Sequence, residues 1–228
     1  MKVALIGDGA IGTWLGERLD PKPQIVRRGD SLPSVDVVVE AAGHEALAHY
    51  GVAALKQGSD LVVVSIGALA HHDLWDALRA AATRSKIILP AGAVVGIDAL
   101  AAARQGGLSE VSYEARKPPA SLSHTLPTDR ETVVFEGNAR EAALTFPKNA
   151  NVAATIALAG VGFDDTRVRI VADPTVTENI HELKVRGAFG AFTASVAGRP
   201  LPSNPKTSSL AAMSLLRCIQ NRQSAIVI

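Results

Sequence analysis

Lys2-Val-Ala-Leu-Ile-Gly7-Asp-Gly9-Ala-Ile-Gly12 lies at the start of the chain and decides the fold class of its first half. A short apolar run rich in β-forming residues leads into three glycines at the spacing G-x-G-x-x-G, and a helical pattern follows. Gly7 permits a tight turn from strand to helix, Gly9 lets the backbone approach a pyrophosphate, and Gly12 lets the helix pack close to the strand. The stretch therefore predicts a dinucleotide-binding turn rather than a glycine turn with a purely structural role.

The helix that follows these glycines is expected to take part in phosphate binding. Its first residues, Ala10 and Ile11, carry backbone N–H groups that have no partner within the helix. The N-terminus is also the positive end of the helix dipole. We therefore predict that the backbone from Gly9 through Ala10 and Ile11 to Gly12 lies against the pyrophosphate, while Gly7 shapes the turn.

Composition limits the classes of protein to which the chain can belong. It has 228 residues, 47% of them hydrophobic, and a formal net charge of +1. This length holds one large domain or two small ones with a true core. No apolar run approaches the roughly 18 residues of a membrane span, and the apolar start predicts a strand and not a signal peptide. The near-neutral charge, without a basic block, argues against nucleic acid as a partner.

The cysteine and histidine content predicts neither a disulfide nor a metal site. Cys218 is the only cysteine in the sequence, so we expect no internal disulfide and a reducing, cytoplasmic location. Its neighbours are apolar at helical spacing, which favours a packed thiol over a nucleophile. No group of cysteine, histidine and acidic residues has the spacing of a metal site, so none is predicted.

The first half of the chain alternates strand-like and helix-like segments. We predict strands at Val3–Ile6, Gln24–Val26, Val35–Glu40, Leu61–Ser65 and Lys86–Leu89, and helices at Glu45–Gln57, Asp73–Arg84 and Ile97–Gln105. Nearly continuous Val, Ile and Leu strands between Ala-rich helices indicate a parallel sheet that is covered on both faces. The fold class predicted for residues 1–107 is a Rossmann-type, doubly wound α/β domain.

The sequence pattern changes after residue 107. Strands that alternate apolar and polar residues are predicted at Val111–Arg116, Thr132–Glu136, Arg167–Ala172, Glu182–Arg186 and Ala191–Val196, with helices at Val152–Ala159 and Asn138–Leu144. This pattern indicates a smaller α+β domain over residues 108–204, with a surface loop at Pro118–Arg130. We expect the final segment, 205–228, to form a helix at Leu210–Ile219 that packs back on the first domain.

Two segments of the second domain combine a lysine with the start of a predicted helix. In Pro147-Lys148-Asn149-Ala150-Asn151, either asparagine can cap the helix. Alternatively, Asn151 binds the nicotinamide end of a cofactor and Lys148 faces an anionic substrate. In Asn204-Pro205-Lys206-Thr207-Ser208-Ser209, the hydroxyls can likewise cap a helix, or together with Lys206 they can bind a carboxylate. Two such sites would suit a substrate with two carboxylates.

His181 is the histidine best placed for catalysis. It lies at the start of an alternating strand, beside Asn179 and Glu182. Histidine titrates near neutral pH and can act as a general acid or base. A single histidine in a strand can also be a surface or packing residue, and the sequence pattern by itself leaves both roles open.

With these stretches assembled, the chain resembles the L-aspartate dehydrogenase family. The resemblance runs almost from end to end and rests on motifs in the family's order, namely Gly7–Gly12, Val39–Ala46, Ser65–Leu69, Pro90–Asp98, Arg116–Pro119, Phe135–Ala142, Phe146–Thr155, Asn179–Glu182, Arg186–Gly190 and Asn204–Ser208. The loop Ala120–Glu131 is shorter here than in some members. The family consists of a Rossmann domain and an α/β domain and oxidises L-aspartate with NAD or NADP to iminoaspartate, which hydrolyses to oxaloacetate and ammonia.

The resemblance also implies roles for individual residues. It puts the catalytic histidine at His181 and contacts to the cofactor at Ala93 and Asn151. We expect Ala42 and Gly43 to line a cleft after the third strand. From charge and motif position, we expect the carboxylates of L-aspartate to meet some of Lys148, Lys206, Thr207 and Ser208. The expected partner is therefore a small-molecule substrate, in a homodimeric enzyme with no membrane or nucleic-acid partner.

Two arginines bear on the choice between NAD and NADP. NAD-preferring domains carry an acidic residue about 20 residues after the glycine turn, at the tip of the second strand. Here that tip has Arg27 and Arg28, whose guanidinium groups suit a 2′-phosphate. The alternative is that both arginines are simply solvated and Asp30 binds the ribose. We predict that NADP is accepted at least as well as NAD.

Two other functions remain open at this point. One is a related oxidoreductase such as homoserine dehydrogenase or dihydrodipicolinate reductase, which shares the glycine turn. The other is a non-catalytic protein that senses dinucleotides, although the presence of His181 argues against it.

Overall fold

The computed structural model describes residues 1–123, 125–147 and 150–227, apart from the side chains of residues 205 and 206. Two compact units account for the chain. The first consists of Met1–Gly92 together with the chain from Ala211 onward, and the second of Ala93–Leu210. The domain boundary expected at residue 107 thus lies inside the second unit.

The first unit is built on a parallel sheet of five strands. Its elements are β1 (Val3–Ile6), α1 (Ala10–Arg18), β2 (Gln24–Val26), β3 (Val37–Glu40), α2 (His44–Lys56), β4 (Asp60–Val63), α3 (His72–Ala81) and β5 (Ile87–Ile88). The strand order is β2-β1-β3-β4-β5, and all pairs are parallel. Every residue of β1, β3 and β4 is buried, as expected for strands covered on both faces. The predicted doubly wound sheet is confirmed.

The strand order places the ligand-binding edge of this sheet. The chain runs outward from β1 to β2 and then returns to β3 on the other side of β1. Ligands of open parallel sheets bind at the carboxyl ends of the strands, where the order reverses. In this unit the reversal lies between β1 and β3, so the turns that follow Ile6 and Glu40 are the ones that can meet a ligand.

The second unit contains a mixed sheet of five strands with helices. Its elements are α4 (Ile97–Ala103), β6 (Leu108–Lys117), α5 (Pro119–Leu122), β7 (Thr132–Asn138), α6 (Ala139–Thr145), α7 (Asn151–Ala159), β8 (Arg167–Ala172), β9 (Asn179–Gly187), β10 (Gly190–Gly198), β11 (Pro200–Leu201), β12 (Asn204–Ser208) and the start of α8 (Ser209–Gln220). The large sheet has the order β10-β9-β6-β8-β7. The pair β6–β8 is parallel and the other pairs are antiparallel. The α+β second domain expected from the sequence is therefore present.

The two faces of this second sheet differ in burial. Along β6, Val111, Tyr113, Ala115 and Lys117 are buried, whereas the residues between them are partly exposed. Paired strands keep the same alternation because neighbouring residues in register point to the same side. One face is therefore covered, and the other presents a row of charged side chains.

The last helix belongs to the core of the first unit. Leu215 and Ile219 of α8 are each 1% exposed and lie in one cluster with Val3, Leu5 and Leu15. The sequence pattern around Leu210–Ile219 predicts this amphipathic helix, and the structure extends it to Ser209–Gln220.

Three local predictions differ from the structure. Helix α4, which was expected in the first domain, packs on α7 in the second unit. The loop predicted at Pro118–Arg130 contains the short helix α5, which begins after Pro118 because proline is tolerated in a first helical turn. Thr207 and Ser208, predicted at the start of the last helix, end the strand β12, which pairs with β11 and leads directly into α8 at Ser209. Strand pairing satisfies backbone groups there that a helix start would have left free.

Candidate active site

The glycine turn after β1 has the close packing that the motif predicts. Gly7 has a φ of +102°, and a Cβ atom on it would lie 3.0 Å from the Cβ of Ala42. A Cβ atom on Gly12 would lie 2.2 Å from the carbonyl oxygen of Gly7. Neither position can take a larger residue without moving the backbone. The turn after β1 therefore packs directly against the turn after β3.

Gly9 differs from the other two glycines because the space beside it is open. It is the N-cap of α1, no side chain caps that helix end, and a Cβ atom on Gly9 would meet nothing within 4 Å. The first helical hydrogen bond runs from Thr13 N to Gly9 O at 2.8 Å, so the amides of Ala10 and Ile11 precede the helical ladder. An uncapped helix start beside an open glycine fits a pyrophosphate group.

Glu40, at the end of β3, holds two turns at this edge of the sheet together. It is fully buried, and its Oε1 accepts hydrogen bonds from the N–H groups of Ala42 and Gly43, each at 2.8 Å. Ser65 donates its N–H to Oε2 and its hydroxyl to Oε1. Burial raises the pKa of Glu40, and these hydrogen bonds act in the opposite direction. The predicted cofactor residues Ala42 and Gly43 are thus fixed by a side chain that the motif does not include.

The arginines at the tip of β2 lie in a tight turn. Asp30 N donates to Arg27 O at 3.0 Å, and Gly29 has a φ of +92°. The hydroxyl of Tyr50 contacts Arg27 O, Asp30 O and Gly29 N at 3.1–3.2 Å. The carboxylate of Asp30 accepts a hydrogen bond from Arg27 N at 2.8 Å. Asp30 therefore stabilises its own turn.

Both arginine side chains at this tip extend into solvent. Arg27 Nε lies 3.2 Å from Asp8 Oδ2 in the glycine turn, with about two thirds of each side chain exposed. Arg28 is 95% exposed and lies 3.7 Å from Glu45. Exposed ion pairs of this kind contribute little to stability, so the guanidinium groups can exchange these carboxylates for another anion at low cost.

His181 lies in β9 on the covered face of the second sheet. It pairs with Ala115 of β6, and Tyr113 pairs with Leu183, so the two aromatic side chains are diagonal neighbours on one face. The hydroxyl of Tyr113 is 2.7 Å from Nδ1 of His181. The exposed fractions of Tyr113 and His181 are 3% and 5%.

The electrostatic surroundings keep His181 uncharged. Burial, and to a smaller extent the positive charge of Lys117, lower the pKa of His181 to about 4. Lys117 ends β6 on the same face as Tyr113, is 6% exposed, and has its own pKa lowered by burial to about 8. At neutral pH, His181 is therefore a neutral imidazole beside a cation, a state in which it can accept a proton.

Of the remaining predicted site residues, the structure describes Ala93 and Asn151. Ala93 is 8% exposed. Asn151 is the first residue of α7 and not its cap, because the N-cap is Ala150, so capping does not account for its side chain. Lys148 lies outside the described residues, as does the side chain of Lys206.

Ser208 lies at the same end of the sheet as His181. Gly198 of β10 pairs with Asn179, two residues before His181. A Cβ atom on Gly198 would lie 3.5 Å from Ser208 Oγ. This hydroxyl is buried and has no hydrogen-bond partner among the described residues. Thr207 precedes it in β12 and is partly buried.

The described residues include neither a metal-binding group nor a membrane-spanning helix. Within residues 1–123, 125–147 and 150–227, no group of three or more His, Cys, Asp or Glu side chains could hold a metal ion. In the same part of the chain, no helix has the length and apolar character to cross a membrane.

The sequence pattern does not single out Tyr113, Lys117, Glu40 or Tyr50, although each contacts or influences a predicted site residue. Tyr113 and Lys117 occupy apolar-phase positions of an alternating strand, where a polar residue signals a buried polar contact. Glu40 ends a buried strand, and a carboxylate there also requires partners. Those positions are the signal by which three of the four could have been found.

Comparison with known proteins identifies the family. The C-terminal domain model of aspartate dehydrogenase matches residues 98–222, more than half of the chain. The chain belongs to the aspartate dehydrogenase family. The NAD-binding domain model of homoserine dehydrogenase matches residues 7–90. The family expected from the motifs is thus confirmed, together with the class of NAD(P)-dependent amino-acid dehydrogenases and the dinucleotide NAD or NADP as cofactor.

Relatives of this family match along the whole chain. The L-aspartate dehydrogenase of Ralstonia pickettii is 50% identical, with 100% of both chains covered. That of Pseudomonas aeruginosa is 40% identical at the same coverage. The crystal structure of aspartate dehydrogenase from Thermotoga maritima superposes with a TM-score of 0.85 at 33% identity, covering 100% of this chain and 99% of that one.

Proposed function

We propose that the protein oxidises L-aspartate with NAD or NADP to iminoaspartate, which water converts to oxaloacetate and ammonia. The observation that carries the proposal is the buried, neutral His181, held by Tyr113 in a chain of the aspartate dehydrogenase family. NAD or NADP, when bound, would supply the acceptor for the hydride that leaves Cα of the substrate. The chain's own residues then have to bind the substrate, hold the cofactor and move protons.

His181 is the general base of this proposal. Loss of a proton from the amine, or attack of water on the imine carbon, requires a group that is unprotonated at neutral pH. A pKa of about 4 keeps His181 in that form, although a pKa so far below neutrality makes the imidazole a weak base. The neighbouring Lys117 favours developing negative charge nearby, which a substrate with two carboxylates supplies.

The cofactor lies, in this proposal, against the edge formed by the turns after β1 and β3. The pyrophosphate would be held by the backbone of Gly9, Ala10, Ile11 and Gly12. Gly7 shapes the surface beside it. Ala42 and Gly43, which Glu40 holds in place, do the same. Ala93 and Asn151 contact the nicotinamide end. Support for Asn151 comes from its position as the first residue of α7, where its side chain is not required as a cap.

The substrate carboxylates are assigned to Lys148, Lys206, Thr207 and Ser208. The described residue with the strongest support is Ser208, since its buried hydroxyl has no hydrogen-bond partner in the described part of the chain. A buried hydroxyl of this kind costs free energy unless something binds it. Ser208→Ala should therefore raise KM for L-aspartate more than it lowers kcat.

An absorbance assay of the nicotinamide tests the function directly. We expect turnover with L-aspartate in one direction, and with oxaloacetate plus ammonia in the other. L-Homoserine, L-asparagine and L-alanine should be much poorer substrates, because a site built for two carboxylates is left with unpaired groups. Equal kcat/KM for aspartate and alanine would contradict the assignment of a two-carboxylate site, and preference for homoserine would favour a related oxidoreductase.

Replacement of His181 tests the catalytic role. His181→Ala should lower kcat by about 10²–10⁴-fold, the usual range for loss of a general acid–base group. KM for the cofactor should change little, because the glycine turn belongs to the other compact unit. Turnover close to that of the wild type would remove His181 from the mechanism, and complete inactivity of the wild type would support a sensing role instead.

Assembly and location are further parts of the proposal. We infer a homodimer formed through the charged face of the second sheet, where Glu114, Arg116, Glu182 and Lys184 alternate in sign and can match a second copy related by a two-fold axis. Light scattering after size exclusion, with Lys184→Glu as the disrupting variant, tests this. A cytoplasmic location is supported by the unpaired Cys218.

A further inference from the structure

The register of two antiparallel strands brings Tyr113 and His181 together. Ala115 is directly opposite His181, and Tyr113 lies two residues before Ala115 in β6, on the same face. Diagonal neighbours of this kind are about 7–8 Å apart, within reach of an aromatic side chain. The rings are nearly parallel, with an interplanar angle of 15° and centroids 6.0 Å apart. Strand pairing thus fixes the contact.

Only one ring nitrogen of His181 is engaged by this contact. The hydroxyl of Tyr113 lies 2.7 Å from Nδ1, a normal length for a hydrogen bond. Within the described part of the chain, it is the one hydrogen bond that the structure gives the ring of His181. Nε2, on the other side of the ring, is therefore the nitrogen left to exchange a proton with the substrate or water.

The hydroxyl of Tyr113 suits this contact because it carries no charge. Burial raises the pKa of Tyr113 far above its usual range, so the phenol stays neutral. A hydroxyl both donates and accepts hydrogen bonds, and it can therefore pair with Nδ1 whether the ring is neutral or protonated. A carboxylate in the same place would stabilise the imidazolium and raise the pKa of His181. Tyrosine orients the ring without adding that charge.

We propose that Tyr113 is a positioning residue for the reaction, which holds His181 through Nδ1 and directs Nε2 to the reacting atoms. The proposal rests on the catalytic role proposed for His181. Tyr113 itself does not touch the substrate. Its effect on turnover passes entirely through the histidine.

A pair of variants separates this role from simple packing. Tyr113→Phe keeps the ring and removes the hydroxyl, and we expect kcat to fall about ten-fold while KM for the cofactor is unchanged. In the His181→Ala background the same change should cause no further loss, because residues that act as a unit are not additive. Ser112→Ala, which removes a hydroxyl from the other face of β6, is the matched control and should retain wild-type turnover.

The turnover of Tyr113→Phe in the two backgrounds distinguishes a positioning role from an independent one. An equal loss in both backgrounds would show that Tyr113 acts independently of His181 and would overturn the proposal. Undiminished turnover of Tyr113→Phe would do the same. If His181→Ala is itself fully active, the proposed catalytic role fails, and this result is read from the single variant alone.

A spectroscopic measurement covers the case in which Tyr113→Phe does not fold. The chain has two tyrosines, Tyr50 and Tyr113, so protein labelled with fluorotyrosine gives two ¹⁹F signals, assigned by Tyr50→Phe. We expect His181→Ala to shift the Tyr113 signal and to leave that of Tyr50 in place. A Tyr113 signal that does not respond to loss of the imidazole would overturn the pairing.

Discussion

At the scale of single residues, the site depends on polar groups buried with a partner. His181, Tyr113 and Glu40 are each at most 5% exposed, and each is held by a specific hydrogen bond. Burial of such groups costs free energy that these bonds offset. The same burial shifts the pKa values of His181 and Tyr113 so that both side chains are uncharged at neutral pH.

Removal of the charge on Lys117 should change the pH dependence of the reaction. The positive charge of Lys117 is the second cause, after burial, of the low pKa of His181. In Lys117→Met the pKa of His181 should rise toward its usual value, because the imidazolium no longer faces a cation. The acid limb of the kcat/KM profile should therefore move to higher pH. The pKa of His181 should stay below its usual value, because burial still lowers it.

The matched control for that variant is Lys56→Met. Lys56 is an exposed lysine at the end of α2, in the other compact unit, and its loss should leave the profile in place. An acid limb that stays fixed in Lys117→Met, or moves to lower pH, would contradict the electrostatic role of Lys117.

At the scale of elements, most of the secondary structure could be predicted and the contacts between elements could not. The strands β1, β2 and β8 begin and end where the sequence pattern predicts, because short runs of β-forming residues between turn residues mark their limits. Register has no such signal, because it depends on residues far apart in the sequence. The pairing of Tyr113 with His181 and the strand at Asn204–Ser208 therefore emerge only from the structure.

The turn at the tip of β2 should govern the choice of dinucleotide. Asp30 is held by its own turn, whereas Arg27 and Arg28 have only exposed ion pairs. We expect NADP to be accepted at least as well as NAD. Arg27→Ala/Arg28→Ala should raise KM for NADP and affect KM for NAD much less, because the guanidinium groups would pair with the 2′-phosphate.

Steady-state KM values for both dinucleotides measure that effect, with Arg79→Ala on α3 as a control for loss of an exposed arginine. A wild type that strongly prefers NAD would count against the arginines, as would a double variant with an unchanged KM for NADP.

The last helix makes a second prediction at this scale. Leu215 of α8 is 1% exposed within the core of the first unit, and Leu215→Ala should lower the free energy of unfolding by about 2–5 kcal/mol. Met213 lies two residues before Leu215 in the same helix and is 53% exposed, so it serves as the comparison. Met213→Ala should change the free energy by less than about 0.5 kcal/mol in urea titrations. Equal effects of the two variants would contradict the packing of α8.

At the scale of the whole molecule, the neutral His181 makes stability depend on pH. Its pKa is about 4 in the folded chain and about 6.5 when unfolded. Between these values the unfolded chain binds a proton that the folded chain does not, so stability falls as pH drops from 6.5 toward 4. From pH 7 to pH 5, this one group should remove about 2 kcal/mol.

Urea unfolding of the wild type and of His181→Gln at both pH values isolates this contribution. The glutamine amide can still bond the Tyr113 hydroxyl but does not titrate, so His181→Gln should lose less stability between pH 7 and pH 5. An identical loss in both proteins would show that other groups control the acid sensitivity.

The position of α8 has a consequence for how the molecule is made. The ribosome makes β1 well before α8, yet the core around Val3 and Leu5 includes Leu215 and Ile219 of α8. The second unit, Ala93–Leu210, is a continuous segment, so all of its residues are synthesised before Leu215 and Ile219. During translation the second unit can therefore complete its core first. The sheet of the first unit keeps part of its apolar surface open to chaperones until α8 leaves the exit tunnel.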